Sequence, residues 1–174
     1  VVVSRLSSTE GQYGTAVQAD GKIVVAGKFR DGDVISLGVM RFNGDGSPDT
    51  AFGNAGSDEA RLAGLVSPAT VLIQEDGRIL VTGLCFDGRS GTGFAVSCFN
   101  NDGSLDTSFG NGGVITHSYG IGTFGLLEAA CVQADGKILV AGQQNGESDA
   151  DIVLARYNAN GTLDTSFDTD GMAT

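Results

Sequence analysis

Apolar residues come in short blocks, and the blocks repeat. Ile23–Gly27 (IVVAG), Ile79–Gly83 (ILVTG) and Ile138–Gly142 (ILVAG) are continuously apolar, which predicts strands buried on both faces. Each follows a shorter strand, Thr15–Gln18, Val71–Gln74 or Ala130–Gln133, across an Asp-Gly pair at Asp20-Gly21, Asp76-Gly77 or Asp135-Gly136. Asp-Gly between apolar strands predicts a tight hairpin, with a two-residue type I′ turn as the expected geometry. The closing glycine of each block suits a bend or a close backbone approach. A polar variable stretch follows, over Lys28–Ser36, Leu84–Gly93 and Gln143–Asp151, and reads as a loop. A third strand is expected at Leu37–Phe42, Phe94–Phe99 and Ile152–Tyr157. A second phrase comes next: RFNGDGSPDTAFGNAG from Arg41, CFNNDGSLDTSFGNGG from Cys98 and RYNANGTLDTSFDTDG from Arg156. A fourth, weaker strand is expected at Ser57–Leu62 and Gly113–Ser118, with Val1–Leu6 the same element at the amino end. No stretch reads as a helix of useful length.

Gln18, Gln74 and Gln133 open the copies 56 and then 59 residues apart, and the length of 174 is three times 58. Such a period identifies a repeat array, with blade units at approximately 1–56, 57–113 and 114–174. Four short strands joined by turns make an antiparallel meander too small to bury both of its own faces, so units must stack. Radial stacking of four-stranded sheets is the β-propeller, and three blades are fewer than the typical four to eight. The expected fold is therefore all-β: three four-stranded antiparallel blades. A second copy joined head to tail would close the ring as a six-bladed homo-oligomer, with its Val1–Leu6 completing the third blade; blades belonging to a longer parent are the other solution. An open stack would leave apolar faces exposed at its ends.

Composition narrows the class further. A hydrophobic content of 41% excludes a disordered chain. Twenty-eight glycines without a Gly-x-y period mark turns. The net charge of −11, with no Lys/Arg cluster, argues against nucleic acid or an anionic membrane as partner. No apolar run reaches the ~20 residues of a membrane span. The chain opens at Val1 without an initiating Met or a signal peptide, which reads as a processed or excised product. Cys85, Cys98 and Cys131 form neither a disulfide framework nor a zinc pattern. Buried free thiols are expected, with a Cys85–Cys98 bridge as the alternative. Cys131 aligns with Ala16 and Leu72, at a core position.

Candidate chemistry falls in two places. Asn43, Asp45 and Asp49 recur as Asn100, Asp102 and Asp106, and as Asn158, Asn160 and Asp164. Oxygen-bearing side chains at alternate positions beside a glycine resemble the start of a calcium loop, although the bidentate Glu at its twelfth position is missing. The same residues also suit turns capped by local Asx hydrogen bonds. The only histidine, His117, lies on a fourth strand, without a nucleophile elbow, and reads as a solvated strand residue. In a meander the first and third connections share one end and the second and inter-blade connections share the other. The first end is nearly identical in all copies; the second differs each time, and divergent loops on a fixed scaffold are where ligands bind. The divergent end places Phe29, Arg30, Asp31, Asp87, Arg89, Glu147 and Asp149 together, with Tyr13, Tyr119 and Phe124 from the inter-blade loops. A glycan or protein ligand suits that face. The alternative is a hydrolase or lyase using loop carboxylates such as Asp31, Asp87 and Asp149.

The two phrases, QADGKIVVAG-like and RYNxDGSLDTSFG-like, resemble the delta-60 repeat family of bacterial propeller repeats over essentially the whole chain. Cys98 for Arg, Pro48 for Leu and Asp168 for Gly are departures that concern packing. The resemblance implies a propeller found in large secreted or surface proteins, hence an extracellular or cell-surface location. It brings no single activity, no catalytic residues and no cofactor. A non-catalytic binding or scaffold module is the resulting expectation, with a calcium-binding structural repeat as a further alternative.

Overall fold

A computed structural model describes residues 14–31, 34–60, 65–86, 92–118, 124–145 and 150–174. The described residues form strands and turns only, in three separate four-stranded antiparallel sheets. The first holds β1 (Gly14–Val17), β2 (Ile23–Asp31), β3 (Val34–Phe42) and β4 (Ser57–Ala60). The second holds β5 (Leu65–Ile73), β6 (Ile79–Phe86), β7 (Thr92–Phe99) and β8 (Val114–Ser118). The third holds β9 (Phe124–Val132), β10 (Ile138–Asn145), β11 (Ala150–Tyr157) and β12 (Met172–Ala173). Each sheet is a simple meander with its strands in chain order, as expected of a propeller blade. The outer strands β4 and β8 pair with β3 and β7, so each closes the blade before it.

Three expectations need correction. First, the Asp-Gly turns are not type I′. Gly21, Gly77 and Gly136 have positive φ, but the preceding aspartates do not. The Gly21 N–H donates to the Gln18 carbonyl, and the Gln18 N–H donates to the Lys22 carbonyl, with the same pair of bonds in the other two blades. This is a three-residue loop, a turn followed by one left-handed glycine, so a single positive φ suffices. The β3–β4, β7–β8 and β11–β12 connections open with the same turn, at Gly46, Gly103 and Gly161.

Second, the described residues of the variable stretches are strand. β2 and β3 stay paired from Ile23↔Phe42 out to Asp31↔Val34, and β10 and β11 out to Asn145↔Ala150. Phe29, Arg30 and Asp31 are therefore ladder residues, and Phe124 opens β9 opposite Asn145. Third, the bend expected at the closing glycine lies in the facing strand. The ladder shifts by one residue between Pro68 and Thr70 and, in the third blade, at Ala141/Gly142. The first site holds a proline where a bulge removes the need for its missing donor.

Alternation along each strand gives every blade two apolar faces. The front face of the first blade, with Val24, Ala26, Leu37, Val39 and Phe52, packs on the back face of the second, with Val71, Ile79, Val81 and Phe99. The front of the second blade, with Leu80, Phe94, Val96, Cys98 and Phe109, packs in the same register on Ile138, Val140, Ala155 and Tyr157 of the third. β7, in the middle blade, is buried at every position.

Candidate functional site

The repeated end of each blade is a polar clasp. In the first blade the Asp49 carboxylate, almost fully buried, accepts from Arg41 Nε at 2.8 Å and from Lys22 Nζ at 2.9 Å. Its other oxygen accepts from the Ala51 N–H. The Arg41 guanidinium lies 4.4 Å from the centre of the Phe52 ring. Its Nη1 crosses to the second blade and donates to the Asn101 carbonyl at 2.6 Å; it also donates to the Gln18 amide oxygen at 3.2 Å. Gln18 Nε2 donates to Asn101 Oδ1 at 2.9 Å. One backbone bond, Gly53 N–H to the Asp102 carbonyl at 2.7 Å, completes the joint. A charge buried this deeply is stable because it is both paired and hydrogen-bonded.

The middle blade reaches the same result by exchange. Cys98 stands where the first and third blades have Arg41 and Arg156, and Arg78 stands where they have Lys22 and Lys137. The Arg78 guanidinium takes over both jobs, donating to Asp106 at 3.3 Å and, across the joint, to the Ala159 carbonyl at 3.4 Å. Burial pushes the Cys98 thiol up to about 12, so it stays protonated and inert, 3.9 Å from Asp106. Gln18 Oε1 accepts from Arg41, whereas its buried counterparts Gln74 Oε1 and Gln133 Oε1 have no partner. Clefts of about 720 Å³ between the second and third blades and about 200 Å³ between the first and second open beside these glutamines.

The residues read as oxygen ligands are occupied in these turns. Asp45, Asp102 and Asn160 each accept, through Oδ1, the N–H and hydroxyl of the residue two positions on, Ser47, Ser104 or Thr162. Asn43, Asn100 and Asn158 donate to those same hydroxyls. The hydroxyl bonds hold the Asp45 and Asp102 carboxyls below the ordinary range. Asp49, Asp106 and Asp164 are likewise lowered, by Lys22 first for Asp49 and by the hydroxyls of Ser108 and Ser166 first for the others. Among the described residues, no group of three or more His, Cys, Asp or Glu side chains is placed to hold a metal ion. The clasp itself was missed in the sequence, although its signal was there: Gln, Lys/Arg and Arg recur in phase with the second aspartate, and Arg78 appears only where Cys98 does.

At the divergent end, Phe29, Arg30 and Asp31 are brought together along the outer part of β2, and Phe124 starts β9. Tyr13, Asp87, Arg89, Tyr119, Glu147 and Asp149 lie outside the described residues. His117 is not a solvated strand residue. It is half-buried on β8 with its ring stacked on Phe94 at 5.2 Å, and burial lowers its pKa. None of the three cysteines is in a disulfide. Cys98 is buried and Cys85 half-buried, but Cys131 is exposed, contrary to expectation, because it sits on the front face of the third blade, which no other described blade covers.

No curated protein sequence matches the chain. A family model does match it, three times, over residues 18–52, 74–109 and 133–167, each match running from the first hairpin through the clasp aspartate to its phenylalanine. The chain accordingly belongs to the β-propeller family described as domain of unknown function DUF5122.

Proposed function

We propose that the chain is a non-catalytic binding or scaffold module of delta-60-type blades, carried by a bacterial secreted or cell-surface protein, with a glycan or protein held on the divergent face. The observation behind this reading is the division of labour between the two ends of the blades. At the repeated end Lys22 and Arg41 pair with Asp49, and Arg78 with Asp106, while Arg41 and Arg78 also reach across the joint to the next blade. At the other end the three copies differ in residue type, while the long β2–β3, β6–β7 and β10–β11 hairpins hold them on a rigid ladder. Rigid elements carrying varied tips are the usual arrangement of a recognition surface. A glycan-array and protein pull-down screen tests it, run on the native chain and on Arg30→Ala and Tyr119→Ala. Loss of the captured ligand in either variant supports the face; capture unchanged in both places binding elsewhere and overturns the reading.

A further inference from the structure

The chain contains two blade joints of the same design, plus one unused half of each kind. In both joints a turn of the following blade plugs into the front of the preceding one. The plug is the turn at Asn100–Ser104 or Asn158–Thr162. Its glycine sits so close that a Cβ on Gly103 would lie 2.7 Å from Gly53 N and 3.0 Å from the Phe52 ring, and a Cβ on Gly161 would lie 2.7 Å from Gly110 N. The backbone N–H of Gly53 or Gly110 donates into that turn, and Phe52 and Phe109 beneath it are fully buried.

The first blade has an identical plug that nothing occupies. Asn43–Ser47 makes the same turn, with the same bonds and φ of +83° at Gly46, yet a Cβ on Gly46 would meet nothing within 4 Å. The third blade has the matching open socket. Phe167, the counterpart of Phe52, is only half-buried beneath the Arg156 guanidinium. The Asp168 N–H, counterpart of the Gly53 and Gly110 donors, has no partner among the described residues. Beside them runs an uncovered apolar stripe. At one position of the front face, Leu37 and Phe94 are 0% and 1% exposed, and Ile152 is 72% exposed. At the other end of the array Val17, on the back face of the first blade, is 66% exposed.

We infer that the front of the third blade receives the first blade of a second copy of this chain, so that two chains close head to tail into a six-bladed ring. The internal joints assign the contacts. Arg156 reaches the Gly44 carbonyl as Arg41 reaches that of Asn101. The Asp168 N–H reaches the Asp45 carbonyl as Gly53 reaches that of Asp102. Ile152 and Leu154 cover Ile23, Val25 and Phe42 as their counterparts cover Ile79, Val81 and Phe99. The interface is heterologous, and it closes on two copies when the rotation repeated at each joint amounts to one full turn over six blades. Nothing in it depends on what the divergent face binds, so the two readings fail separately.

Light scattering on the native chain tests the ring, with Gly46→Ala and Ile152→Glu as variants. The native chain is expected at about twice its 17.7 kDa mass. Within one chain neither substitution meets a neighbour: position 46 faces open space and Ile152 faces solvent. Both variants are therefore expected to keep the β-sheet circular dichroism spectrum and to run as single chains. Since Gly46→Ala also strains a positive φ, Ile152→Glu provides the independent arm. A native chain that stays monomeric into the millimolar range overturns the inference, as does a mass of three or more copies, or a dimer that survives either substitution.

Discussion

Exchanging the residues of one clasp for those of its neighbour measures what the guanidinium contributes. Arg41→Cys gives the first blade the residue of the second while leaving Lys22 in place. The change removes the donors to Asp49 at 2.8 Å, to the Asn101 carbonyl at 2.6 Å and to Gln18 at 3.2 Å, along with the stack on Phe52. Hydrogen bonds to charged groups contribute about 1.5–3 kcal/mol each, and breaking a buried pair costs about 3–5 kcal/mol. Asp49 keeps its bond to Lys22, whose side chain is 31% exposed, so the lower end applies, about 3 kcal/mol. In a chain of this length that is a fall in melting temperature of about 6–12 °C. Lys22→Arg alone changes little, within about 0.5 kcal/mol, as a partly exposed substitution that keeps its charge. The double variant rebuilds the arrangement of the middle blade, where one guanidinium, that of Arg78, serves both Asp106 and the Ala159 carbonyl. It is expected to recover about 1–2 kcal/mol. Urea unfolding of the four proteins at neutral pH gives the cycle directly. Additivity within about 0.3–0.5 kcal/mol would falsify the exchange, and an Arg41→Cys cost below that margin would show that the clasp does not hold the joint.

Three further outcomes follow from side chains of the same joints. Thr82 Oγ1 is buried without a partner at a position where the other blades have Ala26 and Ala141, so Thr82→Val is expected to be neutral or to stabilise by up to about 1 kcal/mol in thermal melts; a clear loss would mean the hydroxyl is bonded. Calcium and chelator are expected to leave the melting temperature unchanged, since the turn oxygens already accept two bonds each. If calcium does bind, the Asp45 and Asp102 turns should fill before the less charged Asn160 turn, and a rise of several degrees would establish it. In acid, Asp49, Asp106 and Asp164 have folded pKa values below their unfolded ones. The native state then binds fewer protons, and their stabilisation is complete above about pH 4 and lost as pH falls below it. His117, also lowered, adds a smaller loss below about pH 6.5. His117→Phe should flatten the urea midpoint between pH 7 and 5 while leaving the carboxylate drop; a profile level down to pH 2 would contradict both.

The strands and their order were legible because apolar blocks and turn glycines are local signals. Turn type was not. Asp20-Gly21 looks like a pair needing two positive φ angles, and only the bond from the Gln18 N–H to the Lys22 carbonyl reveals a third loop residue. The hairpins ran longer than expected because ladders are made of backbone: Lys28–Asp31 reads as loop from its polar side chains, yet pairs residue for residue with Val34–Leu37. The Asx turns were readable, since donor and acceptor lie two residues apart. The clasp was not, since Arg41 meets Asn101 sixty positions away. Of the divergent face, the sequence yields position on the blade and residue type, while convergence of side chains there depends on loop paths that short-range patterns do not encode.

The unequal faces of the blades explain why one sequence phrase serves three environments. A blade at either end needs only one of its two faces covered within the chain, but every blade carries both. Ile152 and Leu154 are apolar although no described blade packs on them, and Gly46 is a glycine at a turn that touches no neighbouring blade among the described residues. A three-blade chain has two joints, whereas a ring has as many joints as blades. Stability of stacked repeats is close to a sum of unit and nearest-neighbour terms, so each joint formed adds without any unit changing. The middle joint can then lose its arginine to Cys98, provided Arg78 replaces the contact, because the cost stays within that joint. The same locality lets the divergent tips vary freely: nothing in the ladder or the clasp reads their residue types.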